Sequence, residues 1–328
     1  MPDSSPVGPL AWPQPKSTLP DQPLDPRFAA GSAYVDGEFC PIEEARIPLL
    51  DWGFLRSDAC QETISAWDGA FFRLTDHLER FQRSLARLRL NPPESPERIR
   101  LIAHDLVALP GFRNAYVQVI ATRGRPPIGS RDLRLCANRF QAFCMPYMWV
   151  ATPEVQARGM SVHISARVRV PARSVDPLVK HYHWLDFQMG LFDAYEAGAD
   201  TVALVDLDGN VAEGPGFNLF ADAGGRLVTP AHGVLDGMTR RTTLELCRAL
   251  GIAAVEAALA PEQVRSAAEV FLTTTAGGII PVTSVDGRRI GDGRPGPKTA
   301  RLHAEYWSRR AAGWLAEPVA YGRLSTRI

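Results

Sequence analysis

The sequence predicts a two-domain protein of mixed class, combining α+β and α/β segments. Three observations carry this. The chain has 328 residues, the length of two average domains. Hairpin patterns with Asp-Gly or Gly-Gly turns alternate with amphipathic helical patterns along its whole course. A break near 148–154 separates two such runs. The expected division is a proline-rich arm over 1–28, a small domain over 29–147, a linker over 148–154 and a large domain over 155–328.

The elements follow in order. Residues 1–28 are rich in proline and have no apolar period, so they read as an extended arm. SAYVDGEFCPIEEARIPLLD is a hairpin turning at Asp36–Gly37, and TISAWDGAFFRL repeats the pattern at Asp68–Gly69. DHLERFQRSLARLRL is an amphipathic helix with Leu78, Phe81, Leu85 and Leu88 on one face and arginines around the other. PERIRLIAHDLVALPG is a second helix, and AYVQVIATRG and LRLCANRFQAFCMPYMWV are strands. VQARGMSVHISARVRV opens the large domain as a strand, with apolar residues alternating from Val162 to Val170. WLDFQMGLFDAYEAG is a helix ending at Gly198. TVALVDLDGNVAEG and FNLFADAGGRLVTP are hairpins. MTRRTTLELCRALG is a helix stopped by Gly251. AEVFLTTTAGGIIPVTSVDGRRI gives two strands around a glycine pair, then an Asp-Gly hairpin. TARLHAEYWSRRAAGW is the closing helix.

Composition excludes some classes of function. Formal net charge is zero, without the basic stripe of a nucleic-acid binder. No apolar run approaches the roughly 20 residues that span a bilayer. The N-terminus lacks a basic segment followed by an apolar core, so it does not read as a secretory signal. Cys40, Cys60, Cys136, Cys144 and Cys247 show no CxxC pairing or metal-ligand spacing. They read as free thiols in a reducing cytoplasm, with no metal site.

The most informative residue is Lys180. Among 36 basic residues only Lys16, Lys180 and Lys298 are lysines; arginine serves elsewhere. Lysine differs from arginine in that its amine can lose a proton and form a Schiff base. Position 180 is therefore a candidate for covalent catalysis, although a lone lysine is more often a surface charge. Three motifs add to it. LDGMTRRTT places Gly237, Met238 and Thr239 at a helix start, where free N–H groups and the helix dipole favour an anion; an ordinary cap by Asp236 or Thr239 is the plainer reading. FLTTTAGG ends a strand in hydroxyls and glycines, fit for close backbone approach to a ligand or for a simple tight turn. VAEGPGFNLF places Glu213 after a hairpin strand, as a partner for a ring nitrogen or as a solvated carboxylate. A Schiff-base lysine, a phosphate cradle and an acid for a pyridine nitrogen are what pyridoxal 5′-phosphate requires.

The order VK…W…AEGPGFNLF…LDGMTRRT…TTTAGGIIPV resembles the fold-type IV pyridoxal-phosphate enzymes, over about residues 31–310. That group includes branched-chain and D-amino-acid transaminases, (R)-selective amine transaminases and aminodeoxychorismate lyases. GAFFRLTDHLERF, VIATRG, VDPLVK and TTAGG bring it nearest to the (R)-selective amine transaminases. The resemblance implies a small α/β sandwich beside a larger, barrel-like domain with helices, and a homodimer. It implies that Lys180 is the Schiff-base lysine and proton shuttle, and that Glu213 faces the pyridine nitrogen. Arg80, Met238, Thr239 and Thr275 would hold the phosphate, with Arg83 a rival to Arg80, and Trp184 would flank the cofactor.

Substrate contacts are expected from Arg56, Gln61, Tyr116, Gln118, Arg125, Arg131 and Ala276. Tyr116 and Gln118 share a strand face. Arg125 and Arg131 stand on a Gly- and Pro-marked loop suited to a carboxylate. Branched-chain transaminases tend to carry arginine at the place of Gln118. The amine transaminases typically show His-Ser-Asp where this chain has Arg56-Ser57-Asp58, and tyrosine at the place of Gln61. The expected reaction moves an amino group between an (R)-amine or D-amino acid and a 2-oxo acid such as pyruvate. A branched-chain-type transaminase, an aminodeoxychorismate-type lyase and a non-catalytic homologue are the alternatives.

Overall fold

The computed structural model describes residues 23–322 together with Leu10 and Leu324. Apart from Leu10 and residues 23–28, the expected N-terminal arm lies outside the described residues. In chain order the first stretch gives strands β1 Ser32–Val35 and β2 Glu38–Pro41, helix α1 Trp52–Arg56, and strands β3 Ala59–Trp67 and β4 Ala70–Phe72. Helices α2 Leu74–Leu88 and α3 Pro96–Ala108 and strands β5 Ala115–Arg125 and β6 Ala137–Pro146 follow. Then come α4 Pro153–Arg158, β7 Met160–Val168, α5 Leu185–Glu196, β8 Thr201–Val205, β9 Asn218–Ala223, β10 Arg226–Pro230 and α6 Met238–Leu250. The chain continues through β11 Ala254–Ala257, α7 Pro261–Arg265, β12 Val270–Thr274, β13 Gly278–Val285, β14 Arg288–Arg289, α8 Pro297–Ala311 and β15 Ala316–Pro318.

These elements form two compact units. One takes residues 23–148, then Val179–Tyr182, then the chain from Gly313; the other takes Trp149–Leu178 and His183–Ala312. The first crossing falls within the expected linker. The expected single run over 155–328 needs correction at two places. Val179–Tyr182 belong to the N-terminal unit because His181 bridges Cys60 on β3. The C-terminal segment belongs there too, because β15 pairs antiparallel with β4. Backbone donors and acceptors need partners when buried, and sheet edges supply them to both segments.

The N-terminal unit is built on a seven-stranded sheet in the order β15-β4-β3-β5-β6-β1-β2. Its two Asp-Gly hairpins turn with positive φ at both residues, 55° and 90° at Asp36–Gly37 and 51° and 77° at Asp68–Gly69, the type I′ geometry that matches strand twist. One face of β3 and β5, with Cys60, Ile64, Val117 and Val119, joins Phe81 of α2 and Ile99, Ile102 and Leu106 of α3 in a single core. Leu78, Phe81 and Leu85 are buried as the periodicity predicts, with Leu88 packed at the edge. The arginines of α2 are not all on its open face: Arg80 is buried, together with His77 and Ser84.

The second unit holds an eight-stranded sheet along the path β11-β10-β9-β12-β13-β7-β8, with β14 beside β13. Its first segment is not all strand. Thr152 caps α4 with Pro153 following, so Val155–Arg158 are helical, and β7 begins only after Gly159 at φ 79°. A Thr-Pro start outweighs the alternating pattern there. Helix α5 buries Phe187 and Ala194 against Val202 and Leu204 of β8. It needs Gly190, where a Cβ would stand 2.7 Å from the Leu204 side chain.

Candidate active site

The candidate lysine lies in the N-terminal unit. Gln61 N–H donates to the Lys180 carbonyl at 2.9 Å, and Cys60 stands opposite His181 in an antiparallel bridge. The next step of that ladder sets Gln61 opposite Lys180. Directly opposite residues of an antiparallel pair project to one face, with Cβ atoms about 5 Å apart. The other face belongs to the core.

On the lysine's face the strands bring together three of the predicted substrate residues. In the β3–β5 register Thr63 pairs with Gln118 and Ser65 with Tyr116. Gln118 Nε2 donates to Gln61 Oε1 at 3.0 Å and Thr63 Oγ1 donates to the same oxygen at 3.1 Å. The Tyr182 hydroxyl donates to Gln118 Oε1 at 3.4 Å, and the Tyr116 hydroxyl lies 3.4 Å from Thr63 Oγ1. Burial raises the pKa of both phenols, so both are neutral donors at physiological pH. Thr63 and Tyr182 are participants that sequence reasoning missed. Period-two spacing from Gln61 and from Lys180 is the signal that points to each.

On the core face of β3 lies a buried charged cluster. Arg80 Nε and Nη2 reach the two Glu62 oxygens at 2.6 and 2.8 Å, and His77 Nδ1 stands 2.8 Å from Oε2. Burial alone would raise the Glu62 pKa, but the Arg80 charge, its paired hydrogen bonds and His77 hold it at about 2. Burial pushes the His77 pKa down, against the pull of Glu62. This bidentate arrangement fixes the plane of the guanidinium. Arg83, the rival to Arg80, is exposed.

The predicted arginine contacts lie elsewhere. Arg56 is exposed at the end of α1 and stacks over the Trp52 ring, 3.7 Å from its centroid. Neither neighbouring acid engages it, because Asp58 pairs with Arg123 and Glu62 with Arg80. Arg125 and Arg131 are exposed around the β5–β6 loop.

The second unit carries the candidate carboxylate. Glu213 is buried and receives Arg169 Nε at 3.3 Å, Leu235 N–H at 2.9 Å and Asn218 Nδ2 at 3.4 Å. Each of these partners donates, as an ionised acid requires. Arg169 is itself held by Asp186 at 2.7 Å and lies over the Phe187 ring. Neither Arg169 nor Asn218 is evident from sequence, since their pairing spans strands. Asn218 also donates to the Leu235 carbonyl at 3.0 Å. The Glu213 site is thereby tied to the loop that enters α6.

Helix α6 begins at Met238 with Gly237 at the N-cap and no side-chain cap. Asp236 does not cap it but pairs with Arg241 at 2.9 Å. Met238 and Thr239 are buried, and an uncapped helix start presents N–H groups and a partial positive charge. Gly237 is required because a Cβ there would lie 2.1 Å from Asn218 Oδ1. At the β12–β13 turn, Ala276 N–H donates to Thr274 Oγ1 at 3.3 Å. Val150 N–H donates to the Ala276 carbonyl at 2.8 Å, and Thr275 is half-buried beside it. Trp184 is half-buried at the N-cap of α5, edge-on to Phe187. In the N-terminal unit a half-buried lysine fits the amine-reactive group of pyridoxal 5′-phosphate; in the second unit a carboxylate set among donors and an uncapped helix start over a glycine fit its ring-nitrogen and phosphate groups. Among the described residues no His, Cys, Asp and Glu group could hold a metal ion, and no helix is long and apolar enough to cross a membrane.

Comparison with known proteins agrees with this chemistry. The amino-transferase class IV family model matches residues 59–285. A Methanocaldococcus jannaschii protein named "Putative branched-chain-amino-acid aminotransferase" is 31% identical over 279 residues, covering 83% of this chain and 94% of that protein. The D-alanine aminotransferase of Bacillus licheniformis is 29% identical over 272 residues, covering 81% and 93%. The T.th. branched-chain amino acid aminotransferase, solved with pyridoxamine 5′-phosphate, superposes with a TM-score of 0.81 at 28% identity, covering 88% of this chain and 99% of that one. By that family match and these relatives, the chain belongs to the class IV aminotransferases, fold-type IV enzymes that depend on pyridoxal 5′-phosphate.

Proposed function

We propose that this enzyme moves an amino group between a D-amino acid or (R)-amine and a 2-oxo acid such as pyruvate. The observation that carries the reading is the uncharged polar face of Gln61, Thr63, Tyr116 and Gln118 beside Lys180. An aliphatic branched chain finds amides and hydroxyls there, which is a poor exchange for their solvation. The likeness to a D-alanine aminotransferase supports the same direction. A branched-chain reading is the alternative, favoured by the names of the other relatives.

In this reading the N–H groups of Met238 and Thr239 and the Thr275 hydroxyl hold the phosphate, and Arg80 joins them only by turning from its bidentate pair with Glu62. Glu213 keeps a negative charge at the ring nitrogen, steadied by Arg169, and Trp184 flanks the ring. Bound pyridoxal 5′-phosphate supplies the electron sink for the donor carbon. Lys180 Nζ takes the proton from that carbon and returns it. Gln61, Tyr116, Gln118 and the Ala276 backbone orient the substrate. Arg125 and Arg131, which have no ion pair among the described residues, are the proposed carboxylate contacts. Arg56 joins them only by leaving its stack on Trp52. The test is a donor panel of (R)-1-phenylethylamine, D-alanine and L-leucine with pyruvate or 2-oxoglutarate, run beside pyruvate release from aminodeoxychorismate. Transfer from L-leucine alone overturns the reading in favour of the branched-chain one, and pyruvate release alone favours a lyase.

The enzyme is further proposed to be a homodimer. Ile47, Leu49, Leu50, Phe54 and Leu55 are all at least half exposed around α1, a cluster of apolar surface that a soluble monomer rarely leaves open. Sedimentation at micromolar concentration should give twice the 35.9 kDa chain mass, and Phe54→Arg should lower it. Full activity at the monomer mass would refute this.

A further inference from the structure

We infer that Gln156 is a positioning residue: its side-chain amide holds the backbone of the β12–β13 turn, and so sets where Thr275 and Ala276 meet the cofactor phosphate and the substrate. The inference rests on the reading above, in which that turn meets both groups.

Gln156 stands on α4, in the same unit as the turn. It is 0% exposed. Its Nε2 donates to the Ala151 carbonyl at 2.9 Å and to the Gly277 carbonyl at 3.4 Å. The same segment makes a second hold, since Val150 N–H donates to the Ala276 carbonyl at 2.8 Å. Two successive carbonyls of the turn are thus gripped by residues 150–156. A trans peptide sets its N–H opposite its C=O, so the Gly277 and Gly278 N–H groups are turned away from that segment. The backbone here has positive φ, 155° at Gly277 and 72° at Gly278. Glycine is conformationally permissive, so these peptide planes depend on what grips them.

The far end of the amide shows that Gln156 does more than fill space. Its Oε1 is buried and has no hydrogen-bond partner among the described residues. Exchanging the two ends would set that oxygen against the Ala151 and Gly277 carbonyls, so the donor end fixes the orientation. A buried acceptor without a donor is costly. An apolar side chain of similar length would fill the space without that cost. What the amide adds is a donor shared between the entry to α4 and the turn.

The test compares wild type with Gln156→Met, Gln156→Glu and Thr152→Ala. Methionine keeps the length and removes the donor. Glutamate keeps the shape and turns an oxygen toward the two carbonyls. Thr152→Ala removes the cap of α4 and leaves the amide in place. Gln156→Met should weaken the titration of apoenzyme with pyridoxal 5′-phosphate, and raise KM for pyruvate in the reloaded enzyme, each by roughly tenfold, with kcat changed less. Gln156→Glu should be worse in both; if it fails to fold, Gln156→Met decides alone. Thr152→Ala should lower the melting temperature and leave both constants where they were. Gln156→Met with a lowered melting temperature but wild-type cofactor affinity and KM makes Gln156 a packing residue and overturns the inference. A Gln156→Glu variant equal to wild type overturns it too. Thr275→Ala probes the underlying reading separately. If it leaves cofactor affinity and KM unchanged, the turn does not meet the ligands, and that reading falls together with the inference.

Discussion

At the scale of single residues, the scarcity of lysine carries the argument. Lys298 is engaged by Asp222 at 2.6 Å and by the Gly225 carbonyl, which is a structural role. Lys180 stands instead on the polar face opposite Gln61. Lys180→Arg should retain the charge and lose transamination by at least roughly 10²–10⁴-fold, since the guanidinium cannot shuttle a proton at neutral pH. Borohydride reduction of the yellow holoenzyme should fix the cofactor on the peptide carrying Lys180; recovery of the adduct on Lys298 would reassign the site. The lysine was legible because composition isolates it. Glu62 and His77 were not, because a strand residue and a helix residue meet through packing that no single period encodes. A trace was present all the same: positions 77, 80 and 84 share the apolar face of α2 with Leu78 and Phe81, and polar residues there need buried partners.

At the scale of elements, turns were the most legible part of the chain. Asp-Gly and Gly-Gly pairs predicted the hairpins because positive φ is cheap only there. The short elements α1, α4, α7, β11 and β15 were illegible or misread, being too brief to display a period. The entry to α6 shows how one backbone position joins two functions. Asn218 packs against Gly237 while bonding to Glu213 and to Leu235. Gly237→Ala should drive that amide away, disturbing the ring-nitrogen acid and the helix start together. The expected cost is about 1–3 kcal/mol in stability with a weaker pyridoxal 5′-phosphate titration. A variant with unaltered melting and cofactor affinity would show that the contact yields freely.

At the scale of the molecule, buried histidines set the acid limit. Burial pushes the His303 pKa down to about 4, and His77 is lowered in the same way. An unfolded chain binds protons at these rings near pH 6.5 while the folded one does not. Stability is therefore complete above pH 6.5 and falls as pH drops toward 4, by about 3 kcal/mol for His303 alone. Glu62, held near 2, adds a further loss only below its ordinary range near 4.5. Denaturant midpoints between pH 4.5 and 8 should show this slope, and His303→Phe should flatten it; a flat wild-type profile contradicts the account.

The chain enters the N-terminal unit three separate times, the second visit lasting only from Val179 to Tyr182. Neither unit is therefore a contiguous gene segment. A fragment ending at Met148 carries Gln61, Tyr116 and Gln118 but lacks the partner of Cys60 and the strand that closes β4. It leaves two open sheet edges, the usual starting point for aggregation. A complementary fragment beginning at Trp149 carries the lysine on a segment with no sheet to receive it. Expressed apart, the halves should be insoluble or unfolded. Expressed together, they should recover amino transfer only by reassembling β3 against the lysine segment, so split halves of this enzyme would report their own association through catalysis.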